Sequence, residues 1–249
     1  MTDEHGAEGC YAGSVSDDPS RREPPSAPII EELRARLVAD VESEVRATRS
    51  YLGKERLDAR VIAALGKVPR HRFVPPEVAH RAYENVPLPI GHGQTISQPY
   101  IVAVMTDLLE TQPTDTVLEI GTGCGYQAAV LATLVKQVYS IEYVPELAEA
   151  AAARLAELGY ANVAVRAGNG NEGWPEAAPF DGIIVTAAGP RIPERLLEQL
   201  KPGRKLVIPV GARGEQDLIV AERRPLPEGG AETVSRIVLP VAFVPLIGG

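Results

Sequence analysis

Apolar residues change their spacing twice along this chain. Up to residue 28 they are sparse among Gly, Ser, Asp and Pro. Such a stretch cannot bury enough surface to offset the entropy of ordering it, which predicts a flexible tail over 1–28 and one domain over 29–249. From Ile30 the pattern turns periodic. Leu33, Leu37, Val41 and Val45 follow at helical intervals with Glu and Arg between them, the stripe of an amphipathic helix. Leu57, Val61, Ala64, Leu65 and Val68 repeat the pattern until Pro69 ends it. "VPRHRFVPPEV" is then a proline-fixed connection, with a short helix expected over 76–83. A glycine- and proline-punctuated loop, "PIGHGQTISQP", leads into an apolar helical run from Tyr100 to Leu109. Residues 29–110 therefore read as a helical lead-in and a loop.

After Pro113 the spacing changes again. "DTVLEIG", "QVYSIEY", "VAVRAG", "FDGIIVTAA" and "RKLVIPVG" are short, nearly continuous apolar runs, as in strands buried on both faces. Between them "GYQAAVLATLV", "PELAEAAAARLAELG" and "PERLLEQLKPG" read as helices. This alternation predicts an α/β fold over 111–249: a Rossmann-like, mostly parallel twisted sheet with helices on both faces. "DLIVAERR" and "VSRIVLPVAFVPLIGG" add late, antiparallel strands.

Composition narrows the function. The 249 residues carry a net charge of -8 and no Lys/Arg-rich run, so the electrostatic footprint of a nucleic-acid binder is missing. No stretch has the roughly 20 apolar residues of a membrane span, and the acidic N-terminus does not read as a secretory signal. A cytoplasmic monomer is the expectation. Cys10 and Cys124 lie in a polar tail and a glycine-rich loop, which does not suggest a structural disulfide. The histidines His5, His71, His80 and His92 lack metal-ligand spacing.

Candidate chemistry begins at "VLEIGTGCGYQAAVLA". Gly121, Gly123 and Gly125 lie between a strand and a helix, where ligands bind at the carboxyl ends of parallel strands. A dinucleotide fingerprint would need its third glycine at 126, which is Tyr126. Glu119 beside the loop repels phosphate and suits a cationic ligand. Glu142, closing the next strand, can accept from both ribose hydroxyls. A phosphate-free, positively charged nucleoside fits, and S-adenosyl-L-methionine has that character. One strand later, Asn169 in "AGNG" reads either as an adenine-edge partner or as an Asn-Gly turn.

From about Leu57 onward the chain resembles the protein-L-isoaspartate O-methyltransferase family. The motifs are "VPRHRFVP", "AYENVPLPIGHGQTISQPYIVAVMTDLLE", "VLEIGTGCGYQAAVLA", "GWPEAAPFDGIIVTAA", "LKPGRKLVIPVG" and "FVPLIG". The glycine loop is common to class I methyltransferases; "GQTISQP" is particular to this family. The resemblance implies methylation of the free α-carboxylate of L-isoaspartyl residues in proteins and peptides, which starts their return to aspartyl. It implies Ser97 as the active-site hydroxyl, Thr95, Ile96 and Ser97 over the methionine end of the cofactor, and Glu119, Gly121, Thr122, Gly123 and Glu142 around it. Gly168, Asn169 and Gly170 would lie near adenine, with Asn169 standing where the family commonly has Asp.

A carboxylate nucleophile is ionised near neutral pH, so no general base is required. What such a site must supply is alignment, and neutral hydroxyls orient a carboxylate without quenching it. Ser97 also reads as a cap for the helix beginning near Pro99. His92 reads as a loop residue, Cys124 as a small residue at a turn, and Trp174 as a packing anchor. Two rival readings are a methyltransferase of the same fold acting on another carboxylate or a small molecule, and a non-catalytic binding module.

Overall fold

The computed structural model describes residues 27–248. The expected tail lies outside the described residues except for its last two, which open a helix.

That helix, α1 (Ala27–Ala47), buries Leu37, Val41 and Val45, the face its sequence stripe predicts. Each such burial contributes about 1.5–3 kcal/mol. A single turn, α2 (Arg49–Leu52), ends at Gly53 in the left-handed conformation. Next, α3 (Ala59–Lys67) is capped by Asp58, whose carboxylate accepts the Arg60 N–H. The apolar run becomes α4 (Pro99–Leu108). Asp107 on α4 is buried, pairs with Lys54 and accepts the Asp58 N–H, tying the α3 entry to α4.

The glycine- and proline-rich loop folds more tightly than expected. It is a hairpin of β1 (Leu88–Gly91) and β2 (Gln94–Ile96). Its two-residue turn, His92-Gly93, has positive φ at both positions (52° and 70°), the twist a tight hairpin requires. His92 is an exposed turn residue.

The main sheet has seven strands in the order β5-β4-β3-β6-β7-β8-β9. Five are parallel: β3 (Thr116–Ile120), β4 (Gln137–Glu142), β5 (Val163–Ala167), β6 (Phe180–Val185) and the start of β7 (Leu200–Ala212). Then β8 (Glu215–Pro225) and β9 (Ala231–Val241) continue it antiparallel. Alternate residues separate two cores. Leu118, Ile120, Ile183, Val185, Leu206 and Ile208 pack on one face. Val117, Ile184 and Val207 join α1, α3, α4 and α5 (Tyr126–Ala132) on the other. Helix α6 (Pro145–Glu157) links β4 to β5.

Two further elements depart from the sequence reading. The helix expected over 193–203 is only α7 (Glu194–Glu198), because β7 already begins at Leu200, opposite Phe180. Gly203, at φ 79°, sits in the irregular stretch that follows. The last expected strand stops at Val241. Beyond it Leu246 N–H donates to Ala188 O and Val244 O accepts Ala188 N–H, so this segment crosses the carboxyl end of β6.

Arg70 of "VPRHRFVP" is fully buried without a carboxylate partner among the described residues. It donates to the carbonyls of Ala82 (2.9 Å) and Val86 (3.1 Å), and its guanidinium lies 4.9 Å from the Tyr126 ring centroid. It thereby fastens the approach to the hairpin onto the first turn of α5. Trp174 packs edge-on against Tyr139 on β4 at 5.0 Å and carries the Arg166 guanidinium over its ring.

Candidate active site

The chain runs β3 to β4 to β5 on one side of β3 and returns to β6 on the other, so a crevice opens at the carboxyl end of β3. The loop there turns on Gly121, Gly123 and Gly125, with φ of 95°, 53° and 89°. A Cβ at Gly121 would overlap the Thr186 hydroxyl, which donates to Gly121 O at 2.7 Å. Glu142 is buried beside the loop. Its Oε2 accepts the Gly123 N–H at 2.7 Å and its Oε1 the Val144 N–H at 3.0 Å. The carboxylate is thus fixed by backbone donors and keeps lone pairs for a ligand.

Glu119 sits deeper than its sequence position implies. It is fully buried, accepts from Ser140, and leaves Oε1 with no partner. Thr122 closes the chain with a 2.5 Å bond to Ser140. Burial, aided by the nearby Glu142 charge, pushes the Glu119 carboxyl up to about 8. Burial also raises the Cys124 thiol, which opposes a nucleophilic role.

Asn169 caps a short turn, accepting the Asn171 N–H at 3.0 Å and donating to Gly248 O at 2.7 Å. Gly170 lines a cavity of about 60 Å³ with Gly121, Gly123 and Glu142, roofed by Val244–Ile247. Gly168 and Asn169 are not in that lining. A second small cavity of about 40 Å³ reaches Thr95, Ile96, Ser97 and Thr122.

The other chamber is larger, about 540 Å³, and lies between α1, the start of α4 and the end of β9. Thr95 and Ser97 face it, with Tyr100 and Glu44 opposite the backbone of 239–244. Ser97 is not the cap of α4. Gln98 holds the cap position without a side-chain bond, and the free Tyr100 N–H donates instead to Asn85 Oδ1 at 2.9 Å. The Glu44 carboxylate holds this arrangement, accepting from Asn85 at 2.6 Å and Gln98 at 3.1 Å. Burial raises its pKa despite those bonds.

The structure therefore brings together Thr95, Ser97, Gly121, Gly123, Glu142 and Gly170. It buries Glu119 and Ile96 behind them. Sequence reasoning missed Thr186, Glu44, Asn85 and the 239–247 wall. Thr186 had a signal, a hydroxyl at the carboxyl end of a parallel strand. Asn85 and residues 243–247 fall within the quoted motifs, without a role read for them, and Glu44 carried no signal.

Over residues 46–249 the chain matches the family model described as protein-L-isoaspartate(D-aspartate) O-methyltransferase. The chain belongs to this family. A protein-L-isoaspartate O-methyltransferase 2 from Syntrophobacter fumaroxidans is 56% identical over 217 residues, covering 87% of this chain and 86% of that protein. Its namesake from Nitrosococcus oceani is 54% identical over 212 residues, covering 85% and 95%. A solved protein-L-isoaspartate O-methyltransferase superposes with a TM-score of 0.73 at 27% identity, over 87% of this chain and 66% of that one. The protein is an enzyme that methylates L-isoaspartyl residues in damaged proteins, the opening step of their repair. None of its described helices is long and apolar enough to cross a membrane.

Proposed function

We propose that the two chambers divide the reaction between them: the glycine loop and Glu142 hold S-adenosyl-L-methionine, and Ser97 and Thr95 orient the isoaspartyl α-carboxylate. One observation carries this. Thr95 and Thr186 line all three cavities, so the small cofactor side and the large peptide side share a wall of hydroxyls.

The donor set fits the cofactor. No Lys, Arg or His among the described residues lines these cavities, which disfavours phosphate, while Glu142 offers acceptors for a ribose. The unpartnered oxygen of Glu119 leaves a further acceptor behind the loop, on a carboxyl that burial keeps largely protonated near neutral pH. When bound, S-adenosyl-L-methionine supplies an electrophilic methyl group on sulfur. The cavity beside Glu142 is about 60 Å³, well below the roughly 300–1,000 Å³ of small-molecule sites, so filling it moves the 244–247 segment or the hairpin outward.

The chain's own contribution is alignment. The substrate carboxylate is already ionised, and the walls hold no basic side chain to neutralise it. The Ser97 hydroxyl, relieved of capping by Asn85, is available to donate to it. Holding nucleophile and electrophile in line supplies most of what such a transfer needs.

The test is transfer of a tritiated methyl group to an isoaspartyl peptide and to its aspartyl twin. A base-labile ester on the isoaspartyl peptide alone is expected. An ester on both, or on neither, overturns the assignment.

A further inference from the structure

The large chamber contains one feature that methyl transfer does not use. Glu44 is the only charged side chain among the described residues lining it. Its partners, Asn85 and Gln98, are neutral amides, and it joins none of the ion pairs of the described residues. A half-buried carboxylate is thus left without a counter-charge, facing the space that receives a substrate carboxylate. Two negative charges in one chamber repel unless the substrate also brings a cation. A neutral acceptor would clamp the two amides equally well, so the charge itself requires a reason. The family match begins at residue 46, so the motifs of the family do not assign this position.

We propose that Glu44 is the subsite for a Lys or Arg side chain that neighbours the isoaspartyl residue in the peptide. This rests on the reading of the chamber as the isoaspartyl-peptide site and names the sequence context that site prefers. The overall charge of -8 supports it, because an acidic surface steers basic peptides toward the mouth. The walls on either side of Glu44 are Thr48 and Tyr51 from the lead-in and Pro240 from β9. An aliphatic stem can lie along the ring and the proline while its charged head reaches the carboxylate.

The experiment measures KM and kcat with three isoaspartyl peptides that differ at one neighbouring position: Lys, norleucine or Glu. For the unaltered enzyme, KM for the Lys peptide is expected about tenfold below that for the Glu peptide, with the gap narrowing as salt rises. In Glu44→Gln the gap is expected to shrink to about twofold, chiefly through a higher KM for the Lys peptide, and in Glu44→Lys to reverse. Three results overturn the proposal: no charge preference in the unaltered enzyme, a preference unchanged in Glu44→Gln, or an equal fall in kcat on all three peptides with KM unmoved. The salt series on the unaltered enzyme stands even if a variant folds poorly. Methylation of all three peptides at equal KM removes only the subsite, whereas no ester on any of them removes the assignment of the chamber as well.

Discussion

The two sides of the cleft are built by different means. The side proposed for the cofactor is backbone: a glycine loop with three positive φ values, β3 and β4 paired in register, and one carboxylate pinned by two main-chain N–H groups. The side proposed for the peptide is side chains gathered from α1, the approach to the hairpin, the head of α4 and the strand β9. The glycine loop tolerates little substitution, because all three of its glycines have positive φ and at Gly121 a Cβ would also overlap the Thr186 hydroxyl. A wall of side chains can change one member and keep its shape.

The sharpest way to break this comparison is Gly121→Ala. The residue would need φ near 95° and would overlap Thr186, a combined cost of about 4 kcal/mol. S-adenosylhomocysteine affinity, read by calorimetry, should fall at least about 100-fold, and an affinity within tenfold of the parent would show that the loop yields.

Next in size is a pH effect from Glu119. Its folded pKa, about 8, lies above the usual 4.5, so the native state holds a proton that the unfolded chain has released. The stabilisation is complete below pH 4.5 and is lost as pH rises through 8. Cofactor-free protein should lose roughly 2–5 kcal/mol in urea titrations between pH 5 and 9. Glu119→Gln should remove that slope, and an equal slope in the variant would refute the assignment.

Ser97→Ala tests the peptide side. Turnover on an isoaspartyl peptide should drop about 30-fold, while S-adenosylhomocysteine affinity stays within about threefold. Parallel losses would place Ser97 on the cofactor side instead. The smallest effect belongs to Asn169→Asp. A carboxylate cannot donate to Gly248 O, so the bond to the covering segment is lost while the cap on Asn171 survives. Cofactor affinity should rise about threefold as the cover loosens; a weaker affinity would mean that the amide itself serves the ligand.

The same division governs how much was legible in the sequence. The cofactor side follows local rules: apolar runs of strand length, glycines at a strand–helix turn, and acidic residues at strand ends. The fold class, Gly121, Gly123 and Glu142 emerge from those rules alone. The depth of Glu119 does not, because burial depends on what packs over a strand end rather than on its position along the strand. The hairpin was written as His-Gly instead of the more usual Asn-Gly, and the proline and glycine around it read as a loop. Helix α7 is short because the pairing of Leu200 with Phe180 overrides helical propensity in "LLEQL". Glu44, Asn85 and Tyr100 meet across tens of residues, and no periodicity encodes such a meeting.

The wall supplied by α1 has a consequence for the lineage as well as for the molecule. Within α1 itself that contribution is one position, Glu44, flanked by the buried Val41 and Val45, with Thr48 and Tyr51 following just beyond the helix. Mutation at those positions leaves the glycine loop and its carboxylate untouched. On the proposed assignment, descendants of one gene can therefore diverge in which damaged sequences they meet best while keeping the glycine loop and Glu142 intact.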